Sequence, residues 1–187
     1  MAEILVVVDM QNDFVSGVLG TQEAFDIVPN VVGRVVDALN RGETVLFTRD
    51  THEANYLSTQ EGKHLPVPHC IRGTEGWEII PQLQEYAAHP IDKPTFGSQS
   101  LGTLLKARDE DLRRRQGQPG IEKVTFIGVC TDICVISNAL LAKAFLPEAE
   151  IVVDAACCAG VTPESHRTAL RAMKACQITV EHEGEAD

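Results

Sequence analysis

Apolar residues along this chain form short continuous runs that alternate with longer segments of helical periodicity. The first run, Glu3–Asp9, contains Ile-Leu-Val-Val-Val without a polar interruption, which is typical of a parallel strand buried on both faces. Ala24–Asn40 has apolar residues every three or four positions and closes at Arg41-Gly42, so it predicts a helix. The chain therefore begins as a strand, a connection and a helix.

The same alternation continues along the rest of the chain. Short apolar runs predict further strands at Thr44–Thr48, His89–Asp92, Lys123–Ile127, Glu150–Asp154 and Gln177–Val180. Helices are predicted at Trp77–Tyr86, Ser100–Arg108, Ile133–Phe145 and Pro163–Lys174, and loops at Met10–Glu23, Thr51–Gly76 and Asp109–Gly120. This order predicts an α/β fold in one domain, residues 1–187. The sheet is expected to be doubly wound, six-stranded and mostly parallel, with helices on both faces in a three-layer, Rossmann-like arrangement.

Polar or reactive groups follow the first four predicted strands. These strands end at Asp9, at Asp50, at Lys93 and at a turn that starts with Gly128. The carboxyl ends of parallel strands meet at one edge of a sheet, which is where open α/β folds bind ligands. The sequence therefore predicts a functional site at that edge.

The stretch Gly128–Val135 joins a predicted strand to a predicted helix and contains two cysteines. Thr131 is a suitable N-cap, which would place Cys134 in the first helical turn, where the helix dipole favours a thiolate nucleophile. Two alternatives stay open: Cys134 could be a small buried apolar residue, or it could form a redox pair with Cys130. The C-x-x-x-C spacing differs from the C-x-x-C of thioredoxin-like proteins.

Composition and charge exclude several classes of partner. The chain has a net charge of −11, which argues against binding to nucleic acid or to an anionic membrane. No apolar run approaches the ~20 residues that span a bilayer. The apolar N-terminal run lacks a preceding basic region, so it predicts a strand and not a signal peptide. The six cysteines lack the spacing of small secreted domains, which favours reduced thiols and a cytoplasmic protein.

Six ordered motifs resemble the isochorismatase-like cysteine hydrolases, and within them the nicotinamidases. They cover nearly the whole chain: Val8–Phe14, Arg49–His52, His69–Thr74, Lys93–Phe96, Gly128–Val135 and Val153–Ala155. The resemblance implies a six-stranded parallel α/β sheet and hydrolysis of a small amide through a cysteine. Nicotinamide, converted to nicotinate and ammonia through a thioester, is the substrate that the nicotinamidase branch implies. The resemblance also implies a homodimer or a homotetramer.

The resemblance assigns a role to each residue of a catalytic set. Cys134 corresponds to the nucleophile, Asp9 to the proton shuttle and Lys93 to their cationic partner. The oxyanion would be bound by the backbone N–H groups of Cys130 and Cys134, with a cis peptide bond between Val129 and Cys130. The chemistry is consistent, because Asp9 can accept the thiol proton while Lys93 stabilises both negative charges.

A metal site is implied by Asp50, His52 and His69, with Glu61 as the expected fourth ligand and His64 as the competing candidate. A carboxylate with imidazoles suits one divalent ion, Zn²⁺, Mn²⁺ or Fe²⁺, and no organic cofactor is implied. The competing interpretation is a polar loop whose histidines bind nothing.

The expected substrate pocket departs from the nicotinamidase pattern. Pro66 stands where these enzymes often have an aromatic residue, so we expect the walls to come from Phe14 together with Leu65, Trp77 or Tyr56. Two further hypotheses remain open: a metal-free hydrolase of another carbamoyl or ureido amide, and a non-catalytic metal-binding or thiol-redox protein on the same fold. The presence of Asp9 and Lys93 argues against the non-catalytic protein, because thiol-redox chemistry needs neither residue.

Overall fold

The computed structural model describes residues 2–115 and 119–184 and contains one six-stranded sheet. The strands are β1 (Ala2–Val8), β2 (Thr44–Asp50), β3 (Ile91–Lys93), β4 (Ile121–Val129), β5 (Glu150–Ala159) and β6 (Thr179–Glu181). Their spatial order is β3-β2-β1-β4-β5-β6, and every pairing is parallel. The chain order reverses at β1, so β1 and β4 flank the switch point at which such sheets bind ligands.

Helices cover both faces of the sheet. They are α1 (Asn12–Val15), α2 (Gln22–Asp26), α3 (Val28–Asn40), α4 (Gln60–His64), α5 (Gln99–Arg114), α6 (Ile136–Phe145) and α7 (Pro163–Ala175). Alternate residues of β1 face opposite layers. Val6 packs with α5, α6 and α7, whereas Val7 packs with α3. The uninterrupted apolar run of β1 is thus buried on both faces, and the predicted three-layer fold is confirmed.

Several element boundaries differ from the sequence prediction. The single helix expected at Ala24–Asn40 divides at Ile27 into α2 and α3, where Pro29 occupies the first turn of α3. In place of the helix expected at Trp77–Tyr86 there are two 3₁₀ turns, Glu75–Trp77 and Pro81–Tyr86.

The predictions for α5 and β5 were too short. Helix α5 extends to Arg114, six residues beyond the expected end, because Asp109 pairs with Arg113 one turn away and Asp111 pairs with Arg115. The rest of the predicted Asp109–Gly120 loop includes residues 116–118, which lie outside the described part of the chain. Strand β5 continues to Ala159, where residues 158–159 pair with the end of β4.

Candidate active site

Asp9, Lys93 and Cys134 meet at the carboxyl edge of the sheet, although they are far apart in the sequence. Asp9 follows β1, Lys93 ends β3, and Cys134 lies in a π-helical turn, Thr131–Val135, between β4 and α6. The Lys93 Nζ atom lies 2.6 Å from Asp9 Oδ2 and 3.4 Å from Cys134 Sγ. All three side chains are buried. A carboxylate, an ammonium group and a thiol thus form one contiguous cluster.

The buried ammonium group of Lys93 is compensated by its neighbours. Besides Asp9 it contacts Asp50 Oδ1 at 3.1 Å and donates to the Thr95 carbonyl oxygen at 3.2 Å. Burial alone would lower the pKa of Lys93, but the negative charges around it outweigh burial and raise the pKa well above its ordinary value. Lys93 is therefore a fixed positive charge beside the thiol.

Asp9 is held in a strained position by both backbone and side chain. Its φ of 49° lies in the left-handed region, which non-glycine residues rarely adopt. The Thr48 hydroxyl donates to Asp9 Oδ1 at 2.7 Å, which fixes the carboxylate orientation. Burial raises the pKa of Asp9 above its ordinary value, against the opposing effect of Lys93. The carboxylate is therefore a stronger base than that of an exposed aspartate.

The surroundings of Cys134 oppose the ionisation that was expected from its place at the start of a helix. Burial, together with the charge of Asp9, raises the pKa of the Cys134 thiol well above its ordinary value, and Lys93 opposes this shift only in part. The expected cap is wrong: the Thr131 hydroxyl bonds to His166 Nδ1 at 2.7 Å, and no side-chain cap of this turn is formed. Cys134 therefore holds its proton beside a base, Asp9, that can accept it.

The turn that carries Cys134 requires a glycine at its start. Gly128 has a φ of +111°, and a Cβ atom there would collide with the carbonyl oxygen of Val8 on the neighbouring strand. The Val129–Cys130 peptide bond is cis, as the resemblance implied. The N–H groups of Ile133 and Val135 both donate to the carbonyl oxygen of Cys130, which folds the turn tightly over the edge of the sheet.

A second cluster lies beside the first and contains four groups able to bind a metal; we call it the metal-ligand cluster. Asp50, His52, Glu61 and His69 each offer one ligand atom, and the four atoms lie within 4.8 Å of one another. His64, the competing candidate, is on the exposed side of α4, and its Nδ1 bonds to the Gln60 carbonyl oxygen at 2.9 Å. The described residues therefore favour Glu61 over His64 as the fourth ligand.

The spacing of this cluster fits a divalent ion. Asp50 Oδ2 lies 2.9 Å from His52 Nε2 and 3.6 Å from His69 Nε2, and Glu61 Oε1 lies 3.4 Å and 3.9 Å from the same two nitrogens. Two ligands bound at about 2.1 Å to one ion are separated by roughly 3–4 Å. Although it lies 2.9 Å from Asp50 Oδ2, the buried His52 Nε2 forms no hydrogen bond of suitable geometry among the described residues. A metal ion would satisfy this nitrogen.

The loop after β1 positions the metal-ligand cluster through two residues to which the sequence analysis gave no role. Gln11 is fully buried; its Nε2 donates to the Asp50 carbonyl oxygen at 2.8 Å and its Oε1 accepts the Asp50 N–H at 2.7 Å. Asp13 Oδ2 accepts the N–H of Cys70, next to His69, at 2.8 Å. The only indication in the sequence that these two residues have a role was their place between Asp9 and Phe14 in the first motif.

The two histidines of this cluster are oriented by their outer ring atoms and by packing. His69 Nδ1 bonds to the Val67 carbonyl oxygen at 2.8 Å, which turns Nε2 towards the cluster. The Tyr56 ring packs behind the imidazoles, with ring centroids 4.7 Å from His52 and 5.0 Å from His69, and its hydroxyl donates to the Leu65 carbonyl oxygen. Tyr56, one of the alternatives expected for the pocket wall, therefore supports the two histidines from behind.

A cavity of about 250 Å³ joins the two clusters. It is lined by Phe14, Leu19, Thr21, Ala24, Asp50, Glu61, Leu65, His69, Phe96, Cys130, Ile133, Cys134 and Val161. The structure thus brings Phe14 and Leu65 to the cavity as expected. The expected wall Trp77 lies elsewhere: its ring packs 3.4 Å from the Arg49 guanidinium group, and its Nε1 donates to Thr51 Oγ1. Phe96 and Val161 line the cavity instead, and no periodicity in the sequence marked them.

The isochorismatase domain model matches residues 3–183 of this chain. The chain belongs to the isochorismatase family. It is 28% identical over 204 residues to a nicotinamidase of Schizosaccharomyces pombe, covering 94% of this chain and 91% of that one. A crystal structure of a Pyrococcus horikoshii pyrazinamidase in complex with zinc superposes with a TM-score of 0.76 at 29% identity, covering 96% and 98% of the two chains.

A third relative widens the range of amides within this family. A ureidoacrylate amidohydrolase of Acinetobacter baylyi is 28% identical over 196 residues, covering 91% of this chain and 76% of that one. With the nicotinamidases, these similarities identify this chain as an amidohydrolase of the nicotinamidase-like branch. None of the helices in the described part of the chain has the length and apolar character of a membrane span.

Proposed function

We propose that this protein hydrolyses nicotinamide to nicotinate and ammonia through a thioester on Cys134. The observation that carries the proposal is the cavity itself, because Cys134 lines it together with Asp50, Glu61 and His69 of the metal-ligand cluster. A ligand that fills this cavity can present an amide carbon to the thiol and a ring nitrogen to the cluster. The nicotinamidase and pyrazinamidase relatives support this class of substrate.

Acylation in this proposal begins with a proton transfer from Cys134 to Asp9. The sulfur then attacks the amide carbon, and the carbonyl oxygen becomes an oxyanion bound by the backbone N–H groups of Cys130 and Cys134. As the oxyanion collapses, Asp9 gives its proton to the leaving amine, which departs as ammonia, and Cys134 holds the acyl group as a thioester. Lys93, fixed 2.6 Å from Asp9, keeps the reacting negative charges close to a cation throughout.

Deacylation uses the same residues in the reverse sense. Asp9 accepts a proton from water, the resulting hydroxide attacks the thioester carbon, and the thiolate of Cys134 leaves and recovers a proton from Asp9. A divalent ion held by Asp50, His52, Glu61 and His69 would supply a Lewis acid for a ring nitrogen. The zinc complex of the pyrazinamidase relative supports a metal of this kind.

Ammonia release from nicotinamide and from benzamide tests this function. Benzamide has the same ring size and the same carboxamide but lacks the ring nitrogen, so the metal-ligand cluster has nothing to bind. We expect nicotinamide to be hydrolysed with a much higher kcat/KM than benzamide. Equal turnover of the two amides would contradict the assignment of nicotinamide while leaving the cysteine chemistry intact.

A ureido or carbamoyl amide is the second candidate substrate class. It is favoured by the ureidoacrylate amidohydrolase relative. A linear ureido acid in the same ammonia assay distinguishes the two classes. Turnover of that acid but not of nicotinamide would select this second class.

We further propose a homodimer or a homotetramer as the assembled form, as the resemblance implied. Val18, Phe25 and Leu57 are among the large apolar side chains that the isolated chain leaves exposed. Multi-angle light scattering of the purified protein would give the mass of the assembly. A mass of 20.4 kDa, that of a single chain, would contradict this proposal.

A further inference from the structure

Asn138 lies on α6, one helical turn after Cys134, and its carboxamide makes three hydrogen bonds to backbone groups. Its Nδ2 donates to the carbonyl oxygens of Cys134 at 2.8 Å and of Phe96 at 3.0 Å. Its Oδ1 accepts the N–H of Ser98 at 2.9 Å. The side chain is 1% exposed, so these bonds replace water almost completely. Asn138 thus connects the cysteine turn to a separate loop.

That loop, residues 94–98, runs from β3 to α5 and carries two features of the site. The Thr95 carbonyl oxygen accepts a hydrogen bond from Lys93 Nζ. Phe96 lines the cavity and is 43% exposed, so it lies at the mouth, where the cavity opens to solvent. The strand before it, β3, has only three residues and pairs with β2 alone at the edge of the sheet. The sheet therefore constrains this loop little, and its position depends on the N-cap that Ser98 forms for α5 and on contacts with α6.

Close packing against α6 supports the same dependence. A Cβ atom at Gly97 would meet the Leu141 side chain at 2.6 Å, so the absence of a side chain there lets the loop lie directly against the helix. Asparagine itself has a low helix propensity, so its place inside α6 is explained by its side-chain bonds and not by a preference for helix. Without Asn138, the Ser98 N–H and the Phe96 carbonyl oxygen would both lose their partner.

We propose that Asn138 is a positioning residue that ties the 94–98 loop to the cysteine turn. Through Thr95 it sets the place of the Lys93 ammonium group relative to Cys134, and through Phe96 it sets the width of the cavity mouth. The catalytic part of this proposal rests on the proposed cysteine hydrolysis, whereas the part concerning the cavity mouth does not.

Kinetics of Asn138→Asp, Asn138→Ala and Ser137→Ala test the catalytic part. Aspartate has nearly the same shape and keeps the acceptor for Ser98, but it loses both donors. Ser137 is the matched control, because its hydroxyl donates to the Ile133 carbonyl oxygen at 2.6 Å within the same turn and does not bond to the loop. We expect kcat to fall about ten- to a hundredfold in both Asn138 variants, because a small displacement of a catalytic group has this effect. KM should change less, and Ser137→Ala should behave as wild type.

Alkylation of Cys134 tests the cavity mouth without any substrate. The rates with iodoacetamide and with the bulkier N-phenylmaleimide are followed by mass spectrometry of the peptide that contains Cys134. We expect the ratio of the bulky to the small reagent to rise severalfold in both Asn138 variants and in Phe96→Ala, which removes the wall directly. The ratio should stay at the wild-type value in Ser137→Ala.

The possible outcomes separate this proposal from the proposed function. If the Asn138 variants only melt at a lower temperature, and their folded forms keep the wild-type kcat and alkylation ratio, the residue is merely structural and the proposal is overturned. If Asn138→Ala does not fold, Asn138→Asp, which keeps the bond to Ser98, decides the question. If the wild-type protein releases no ammonia from any amide, the proposed function fails and the catalytic part with it. The alkylation ratio would still decide whether Asn138 sets the cavity mouth.

Discussion

At the scale of single residues, the two cysteines of the active-site turn have different expected roles. Cys134 Sγ lies 3.4 Å from Lys93 Nζ, whereas Cys130 would contribute only its backbone N–H to the oxyanion. We therefore expect Cys134→Ala to abolish ammonia release and Cys130→Ala to leave measurable activity. Limited labelling with iodoacetamide in the presence of substrate should also show protection of Cys134. Full activity of Cys134→Ala would contradict the assignment of the nucleophile.

Asp9 and Lys93 are expected to act as one unit with Cys134. Removing Lys93 leaves the Asp9 carboxylate buried without its cation, and removing Asp9 leaves Lys93 with Asp50 as its remaining carboxylate, so the group that stays can no longer perform its role. We expect Asp9→Asn and Lys93→Ala each to lower kcat/KM by about 10³-fold or more, with little further loss in the double variant. Far-ultraviolet circular dichroism would check that each variant folds. A double variant whose loss equals the product of the two single losses would show that the residues act independently.

Gln11 provides a residue-scale test of the metal-ligand cluster. Its carboxamide fixes both backbone groups of Asp50, so Gln11→Ala should release this ligand and weaken zinc binding by about 10- to 100-fold, as loss of an outer-sphere contact commonly does. The neighbour Asn12 is the control, because its Nδ2 bonds to the Glu75 carbonyl oxygen at an exposed position. Competition with a chromophoric chelator would measure the affinity of each variant. Equal affinity in Gln11→Ala and Asn12→Ala would exclude this role.

At the scale of elements, the sequence best predicted the positions of side chains that depend on one strand and on its neighbour in the sheet. The ends of β1, β2 and β3 could be placed together because parallel strands share an edge, and Asp9, Asp50 and Lys93 do lie there. Side chains whose position depends on distant contacts could not be placed. Trp77 lies outside the cavity lining because its ring packs against the Arg49 guanidinium group. Val161, in the β5–α7 loop, lines the cavity.

The thiol pKa shows the same limit of sequence reasoning. A thiol at the start of a helix is expected to ionise easily, but that rule assumes access to water. Cys134 is instead buried, with only 5% of its surface exposed where it lines the cavity, and it lies near two carboxylates; burial has the larger effect on its pKa. Burial is a property of the folded chain, so no local pattern in Gly128–Val135 could have revealed it.

An ion-pair cluster on the outer side of the active-site edge gives a prediction for stability against pH. Burial alone would raise the pKa of Asp92, but the guanidinium groups of Arg49 and Arg72, both at 2.8 Å, lower it. A carboxylate with a lowered pKa contributes stability above its unfolded pKa of about 3.9 and loses it as the pH falls below that value. Asp92→Asn should therefore cost about 0.5–1 kcal/mol at pH 7 and at pH 5, and this cost should be smaller at pH 3.

Urea unfolding at these three pH values would measure that difference. Asp37→Asn on the exposed face of α3 is the control, since Asp37 has no cation within ion-pair distance in the described part of the chain. The same penalty for both variants, or a penalty for Asp92→Asn that is as large at pH 3 as at pH 7, would show that the ion pairs contribute nothing specific.

At the scale of the whole molecule, one cavity joins a cysteine site and a metal-ligand cluster that are built from different parts of the chain. The cysteine turn comes from the β4–α6 connection, whereas His52, Glu61 and His69 come from the segment between β2 and β3. Asp50 belongs to both sites, because its Oδ1 contacts Lys93 while its Oδ2 faces the two histidines. Binding of substrate and attack on its amide therefore depend on separate groups that share one carboxylate.

Removal of the metal by a chelator should separate these two contributions. The ion would bind the ring nitrogen, whereas Asp9, Lys93 and Cys134 perform the proton transfer and the attack, so its loss should raise KM for nicotinamide about tenfold or more and lower kcat less. Benzamide has no ring nitrogen, and its kcat/KM should hardly change. Steady-state ammonia release before chelation, after it and after return of Zn²⁺ would measure both amides. An equal loss with both would indicate that the ion maintains the cysteine site through Asp50 and does not hold the substrate.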